Sequence, residues 1–168
     1  ERAFGSVIDL ISASPPCDIA MVRLQRGGLQ KRFLVPVSNG ENTQLALDIA
    51  LAQADYATSQ GEEVEVVALH LVSSGSDPKE IEETQRRMID GLTLGDLPVE
   101  LRVMPSDDIV EDILNYSEGF DEIVIGASEE RLLEQQLFGS IPQQIAEEAL
   151  TNVIVVKRYN PIKHGLFS

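Results

Sequence analysis

The chain has 168 residues, 43% of them hydrophobic and 24% charged, enough for one ordinary domain with a sizeable core and a remnant besides. A formal net charge of −15 repels polyanions and argues against sequence-general DNA or RNA binding. No stretch approaches the roughly 18–20 uninterrupted apolar residues of a membrane span, and the single cysteine, Cys17, excludes an internal disulfide.

The run from Ile19 to Val22 reads as a strand, and the polar, glycine-bearing residues 24–32 as a linker. Residues 33–37 form the first strand of the main domain, apolar except at Pro36, one residue before the strand stops. Asn42 is the expected cap of a helix whose stripe Leu45, Ile49, Ala52 and Tyr56 has helical spacing. Residues 65–72 are a second strand, continuous in apolar character, as expected where both faces are covered. Asp77-Pro78 is an N-cap with proline at the first helical position, and Ile81, Gln85, Met88 and Leu92 share one face behind it. Val99, Leu101 and Val103 alternate with Glu100, Arg102 and Met104, the mark of a half-exposed edge strand. Ser106-Asp107-Asp108 opens a helix with Ile109, Ile113 and Tyr116 inward and acids at its positive end. Ile123-Val124-Ile125 is a short buried strand ending at Gly126. Ser140-Ile-Pro-Gln143 has the form of a capping box with Pro142 in the first turn, and residues 153–156 make the last strand. This order predicts an α/β fold: a five-stranded, mostly parallel open sheet, helices on both faces and right-handed crossovers.

Residues 4–23 and 138–157 align without a gap at an offset of 134, with five identities in twenty. Phe4-Gly5-Ser6 falls on Phe138-Gly139-Ser140, Ile11 on Ile145 and Val22 on Val156; Asp18 meets Asn152, Met21 meets Val155, and Arg23 meets Lys157. A repeat at domain length means duplication. Residues 1–23 are therefore expected to be the tail of a preceding copy, followed by the linker, a complete domain at 33–158 and a basic tail at 159–168. Residues 19–22 and 153–156 are both too apolar for bare edges, which template aggregation. Antiparallel pairing of the two, within one chain or between two, is expected. It would bring Arg23, Arg26, Lys31 and Arg32 near Lys157, Arg158 and Lys163 as a positive patch. Twelve acids against one base, Arg131, between Asp107 and Leu150 read as solvated helix faces.

In open parallel sheets ligands bind outside the carboxyl ends of the strands, where strand order reverses. That points to Val37-Ser38-Asn39-Gly40-Glu41 and to the loop from Gly126 to Arg131, which runs on to Gly139-Ser140. Glycine-serine at a helix start suits a phosphate cradled on backbone amides, but plain helix capping is the favoured reading. His70, within an apolar strand, reads as a core residue, and Cys17 as structural. No nucleophile elbow or metalloenzyme motif is present.

Over residues 31–158 the chain resembles the universal stress protein family. Nucleotide-binding members carry glycine, two residues, glycine, nine residues, then glycine-serine or glycine-threonine. Gly126 and Gly139-Ser140 hold the outer places at that spacing, Glu129 stands at the middle glycine, and Ser38 at the first-strand aspartate that contacts base and sugar. The resemblance implies a site of Pro36, Ser38, Gly126, Glu129, Gly139, Ser140 and Ile141, for ATP or AMP with magnesium. Ser38 removes a polar anchor, and Glu129 adds bulk and a carboxylate beside Glu130, so binding is expected to be weak or absent. The implied function is a non-catalytic regulatory or ligand-sensing module; the alternative is an ATP- or AMP-binding protein with slow hydrolysis. Tandem domains of this family recur behind membrane transporters. That implies the cytoplasmic domain of a parent transporter, self-associating through its final strands.

Overall fold

The structure is a computed structural model that describes residues 17–128 and 139–159. Within them lie six strands, β1 (Ile19–Arg23), β2 (Arg32–Pro36), β3 (Glu65–Ser73), β4 (Val99–Ser106), β5 (Glu122–Gly126) and β6 (Asn152–Lys157). Four helices alternate with them: α1 (Glu41–Ser59), α2 (Pro78–Gly91), α3 (Ile109–Tyr116) and α4 (Ser140–Glu148). The strands make one sheet in the order β1-β6-β5-β2-β3-β4. Every pairing is parallel except β1 with β6, which is antiparallel. The sheet thus has six strands rather than the expected five, because β1 joins it beside β6 within one chain.

Continuous apolar strands are what a sheet covered on both faces requires. Along β2, Leu34 belongs to one core while Phe33 and Val35 belong to the other. Along β6, Val153 and Val155 face one way, and Ile154 and Val156 the opposite way. The first core is closed by Ile113 of α3 and by Ile145 and Ala146 of α4. Ala46, Leu47, Ala50 and Ala54 of α1 close the second, with Met88 of α2. The result is three layers with the sheet in the middle.

Several local expectations need correcting. The inward face of α1 is Ala46, Leu47, Ala50, Ala54 and Ala57, not the stripe of larger residues; Tyr56 is 59% exposed. Small side chains let this helix lie close on the sheet, and the bulkier apolar residues flank the contact. Gly40, not Asn42, is its N-cap. Asn42 is buried, donating through Nδ2 to Ala127 O at 2.8 Å and accepting at Oδ1 from Arg158 N at 2.7 Å. Ser140 to Gln143 is no capping box. The N-cap of α4 is Gly139 without a side-chain bond, and Gln143 Nε2 donates to Glu147 instead. Ile109 is 43% exposed rather than inward. Cys17 is exposed at the entry to β1, where burial can give it no structural part.

Other caps fall where expected. Asp77 accepts from Lys79 N and Glu80 N, and Glu80 closes a capping box; Asp108 accepts from Glu111 N at 3.0 Å. Several described bases of the expected positive patch are ion-paired, and Lys163 lies outside the described residues. Lys31 pairs with Glu62 at 3.1 Å, Arg32 with Glu65 at 2.6 Å and Arg158 with Asp48 at 3.9 Å. Arg23 donates to the carbonyls of Ala146 and Glu147 at the end of α4. Among the described acids of the 107–150 block, Asp107, Asp108, Glu111, Glu118 and Glu148 are exposed, but Glu122 is only 2% exposed. It accepts from Gln53 Nε2 at 2.6 Å. Burial pushes its carboxyl above the ordinary 4.5, the Gln53 bond pulls it back, and neighbouring Asp121 adds to the rise.

Candidate functional site: the crevice at the strand-order reversal

Strand order reverses between β2 and β5, since β3 and β4 follow β2 to one side while β6 follows β5 to the other. Helices that leave these two strands fall on opposite faces, and the splay opens a crevice outside the carboxyl ends. It holds about 190 Å³. Pro36, Val37 and Ser38 form its floor from β2, Ile125 and Gly126 from β5, and Leu69, His70 and Leu71 its wall from β3. Ile109 and Ile113 of α3, and Ile141 and Pro142 of α4, close the far side. Pro36, Ser38, Gly126 and Ile141 therefore meet in one place. Glu129 lies outside the described residues, as do Glu130 and Arg131.

The polar groups are few. Thr43, 4% exposed, folds back on the β2 loop: its Oγ1 donates to Ser38 O at 2.9 Å and stands 3.2 Å from Ser38 N. Ser38 Oγ lies 3.4 Å from the same hydroxyl, so two hydroxyls stand together at the mouth. His70 Nδ1 is 2.8 Å from Val37 O. A carbonyl oxygen only accepts, so Nδ1 carries the proton and, in the neutral ring, Nε2 keeps a lone pair. His70 is thus a half-buried wall of the crevice rather than a core residue. A sequence signal was available: a histidine late in an apolar strand, one step past the last β2–β3 pair, Pro36 with Leu69.

The two glycines of the motif are held by protein. A Cβ on Gly126 would lie 2.7 Å from Asn42 C and 2.8 Å from Asn42 O, at the start of α1. On Gly139, whose φ is +88°, a Cβ would collide with Ser128 Cβ. Both glycines admit neighbouring chain where a side chain would stand, and residues 129–138 between them lie outside the described residues. In the first turn of α4, Gln143 N bonds Gly139 O at 3.3 Å and Pro142 has no amide hydrogen. Ser140 and Ile141 supply the remaining amides. Ser140 itself is exposed.

No described residue lining the crevice is an aspartate, glutamate, lysine or arginine. Among the described residues no three histidine, cysteine, aspartate or glutamate side chains gather to hold a metal. None of their helices is long and apolar enough to cross a membrane. The crevice offers apolar walls, paired hydroxyls and one imidazole. That set suits the flat, neutral part of a nucleoside better than its phosphates.

The sequence profile of the universal stress protein family matches residues 30–157. No curated protein matches the chain. A universal stress protein from Archaeoglobus fulgidus superposes with a TM-score of 0.56 at 22% identity, over 76% of this chain and 98% of that one. Another structure from that organism, in complex with dAMP, gives 0.57 at 19% identity, over 77% and 100%. A protein from Pseudomonas aeruginosa UCBPP-PA14, assigned as a universal stress protein, gives 0.57 at 18% identity, over 92% of this chain and 57% of that one. At these identities the likeness speaks for the fold.

Proposed function

The chain belongs to the universal stress protein family, and on that premise we propose that it is a non-catalytic, ligand-sensing module whose crevice takes the nucleoside part of an adenine nucleotide weakly. The observation that carries this reading is the absence of any charged side chain among the described lining residues. A carboxylate at Ser38 would add a charge-assisted bond to a ligand hydroxyl, worth about 1.5–3 kcal/mol. Without it, affinity falls by roughly ten- to more than a hundredfold. The dAMP complex of a structural neighbour supports the choice of ligand class. Hydrolysis needs a base placed on the attacking water. The one titratable side chain lining the described crevice, His70, has Nδ1 tied to Val37. A cytoplasmic place as one of two tandem domains, attached to a larger protein such as a transporter, completes the proposal. Its support is the repeat at offset 134 and the Pseudomonas structure, which extends well beyond the aligned part.

Calorimetry with adenosine, AMP, cyclic AMP, ADP and ATP, each with and without magnesium, tests the reading. We expect dissociation constants of roughly 100 µM or weaker, about −5.5 kcal/mol, with little gain from magnesium or added phosphates. Low-micromolar ATP binding would overturn it. Magnesium-dependent phosphate release above background would revive the hydrolase alternative.

A further inference from the structure

We propose that the chain has a second ligand site, at the end of the sheet opposite the crevice, and that this site takes a free α-amino acid with an apolar side chain. At the amino ends of β5 and β6 the turns that enter these strands meet the linker around a groove of about 370 Å³. That is nearly twice the volume of the crevice. Leu114 of α3, Phe120 of the turn into β5 and Leu150 of the turn into β6 give it apolar walls. Leu150 is 87% exposed, more than any other large hydrophobic side chain described.

Three charged residues line the groove: Arg26 from the linker, Glu118 just beyond α3 and Glu148 at the end of α4. Elsewhere a base beside an acid pairs with it, as Lys31 does with Glu62, Arg32 with Glu65 and Arg102 with Glu100. Here that does not happen. Among the described residues no hydrogen bond or ion pair reaches the Arg26 guanidinium, and none reaches the carboxylates of Glu118 and Glu148. Every other described arginine has a partner for its side chain. Opposite charges therefore line one cavity without closing on each other.

Arg26 is nonetheless firmly rooted. Asn152, the fully buried first residue of β6, accepts at Oδ1 from Arg26 N at 2.9 Å and donates from Nδ2 to Arg26 O at 3.0 Å. Gln25 N adds a bond of 2.7 Å to the same Oδ1. Both polar backbone atoms of Arg26 are thus clamped, which fixes the base of its side chain at the rim.

The charges select the ligand. A simple anion would meet Glu118 and Glu148 as well as the chain's net charge of −15. A simple cation would meet Arg26. A zwitterion satisfies both signs, its carboxylate taking two parallel N–H bonds from the guanidinium and its ammonium donating to the carboxylates. Both α3 and α4 end at this groove, and their negative ends favour the ammonium too. In an α-amino acid the two charges share one carbon, so an apolar side chain is left to lie on Leu114, Phe120 and Leu150. Covering Leu150 removes apolar surface from water.

The test is a titration of the whole, 15N-labelled chain with L-leucine, followed by amide NMR. Shifts should appear at residues 26, 118–120 and 148–151, leave Ser38 and Gly126 unmoved, and saturate at roughly millimolar leucine. Isocaproate, which lacks the ammonium, and isoamylamine, which lacks the carboxylate, should each bind at least about tenfold more weakly. Arg26→Gln, and Glu118→Gln combined with Glu148→Gln, should each weaken leucine by about tenfold. Their urea midpoints should stay unchanged, because none of these side chains has a bond among the described residues to lose. The proposal is overturned if leucine at roughly 10 mM leaves the spectrum unchanged, if the shifts fall on the crevice, or if isocaproate or isoamylamine binds as well as leucine. It is equally overturned if binding survives in the variants, or if it is lost together with a fall in the urea midpoint, which would make these residues structural.

Discussion

Replacing Gly126 with alanine tests what the first glycine of the motif is for. The added Cβ would stand 2.7 Å from Asn42 C, roughly 0.7 Å inside the 3.4 Å at which ordinary contact begins. The obstructing atoms are helix backbone, so no rotamer change clears them. Either α1 backs away from β5 or the strand end bends. Backing away stretches two bonds of buried Asn42, to Ala127 O and from Arg158 N, each worth about 0.5–1.5 kcal/mol. Overpacking itself costs about 1–3 kcal/mol. Together the loss is about 2–6 kcal/mol, a large part of the 5–15 kcal/mol typical of a domain. At this chain length that lowers Tm by roughly 4–24 °C. Urea unfolding followed by circular dichroism, without ligand, should show the midpoint falling at unchanged slope. A glycine kept only for close approach of a ligand would behave in the opposite way: alanine would leave the free protein intact and weaken binding alone. A loss below about 1 kcal/mol would therefore refute the packing account of Gly126.

The same contact shows which parts of the molecule were legible beforehand. Strands could be read because their period-2 sides both end in core, as Leu34 and Val35 do on opposite faces. The crevice could be placed because it follows from strand order alone, and Pro36, Ser38, Gly126 and Ile141 do line it. What escaped was decided by neighbours far away in the chain. The inward face of α1 is written in alanines, whose weak hydrophobicity is outweighed by Leu45, Ile49 and Tyr56 beside them. Asn42 looks like a cap by position, yet it is drawn inward by Ala127 and Arg158, partners 85 and 116 residues on. Glu122 follows Asp121 like an exposed acid, and only Gln53 of α1 gives it a buried bond. The meaning of the motif glycines was hidden for the same reason, because the atoms they accommodate belong to Asn42 and Ser128.

Three further substitutions carry this reasoning to measurements. Gly139→Ala should cost stability as well, about 1–3 kcal/mol from the positive φ and the contact with Ser128; an unchanged urea midpoint would refute it. Glu122→Gln should remove a pH dependence. Because the folded carboxyl titrates above 4.5, the native state holds the proton longer, so stability falls as pH rises from about 4.5 through the raised value. The glutamine keeps the acceptor for Gln53 and cannot ionise, so its urea midpoint should lack that decline. Equal declines in both proteins would refute the assignment. The third substitution, Ser38→Asp, bears on function. Position 38 sits at the crevice mouth beside the Thr43 hydroxyl, and no charged side chain lines the described crevice to pair with or repel a new carboxylate. There it can accept from a ligand hydroxyl, and a charge-assisted bond of about 1.5–3 kcal/mol predicts adenosine binding at least roughly tenfold tighter. AMP should gain as much if its phosphate points toward α4, and less if the phosphate lies on the β2 side, where the two negative charges repel. Calorimetry with both ligands separates these poses. No gain for either ligand would mean that the missing carboxylate is not what weakens binding, and the account of the crevice would fall with it.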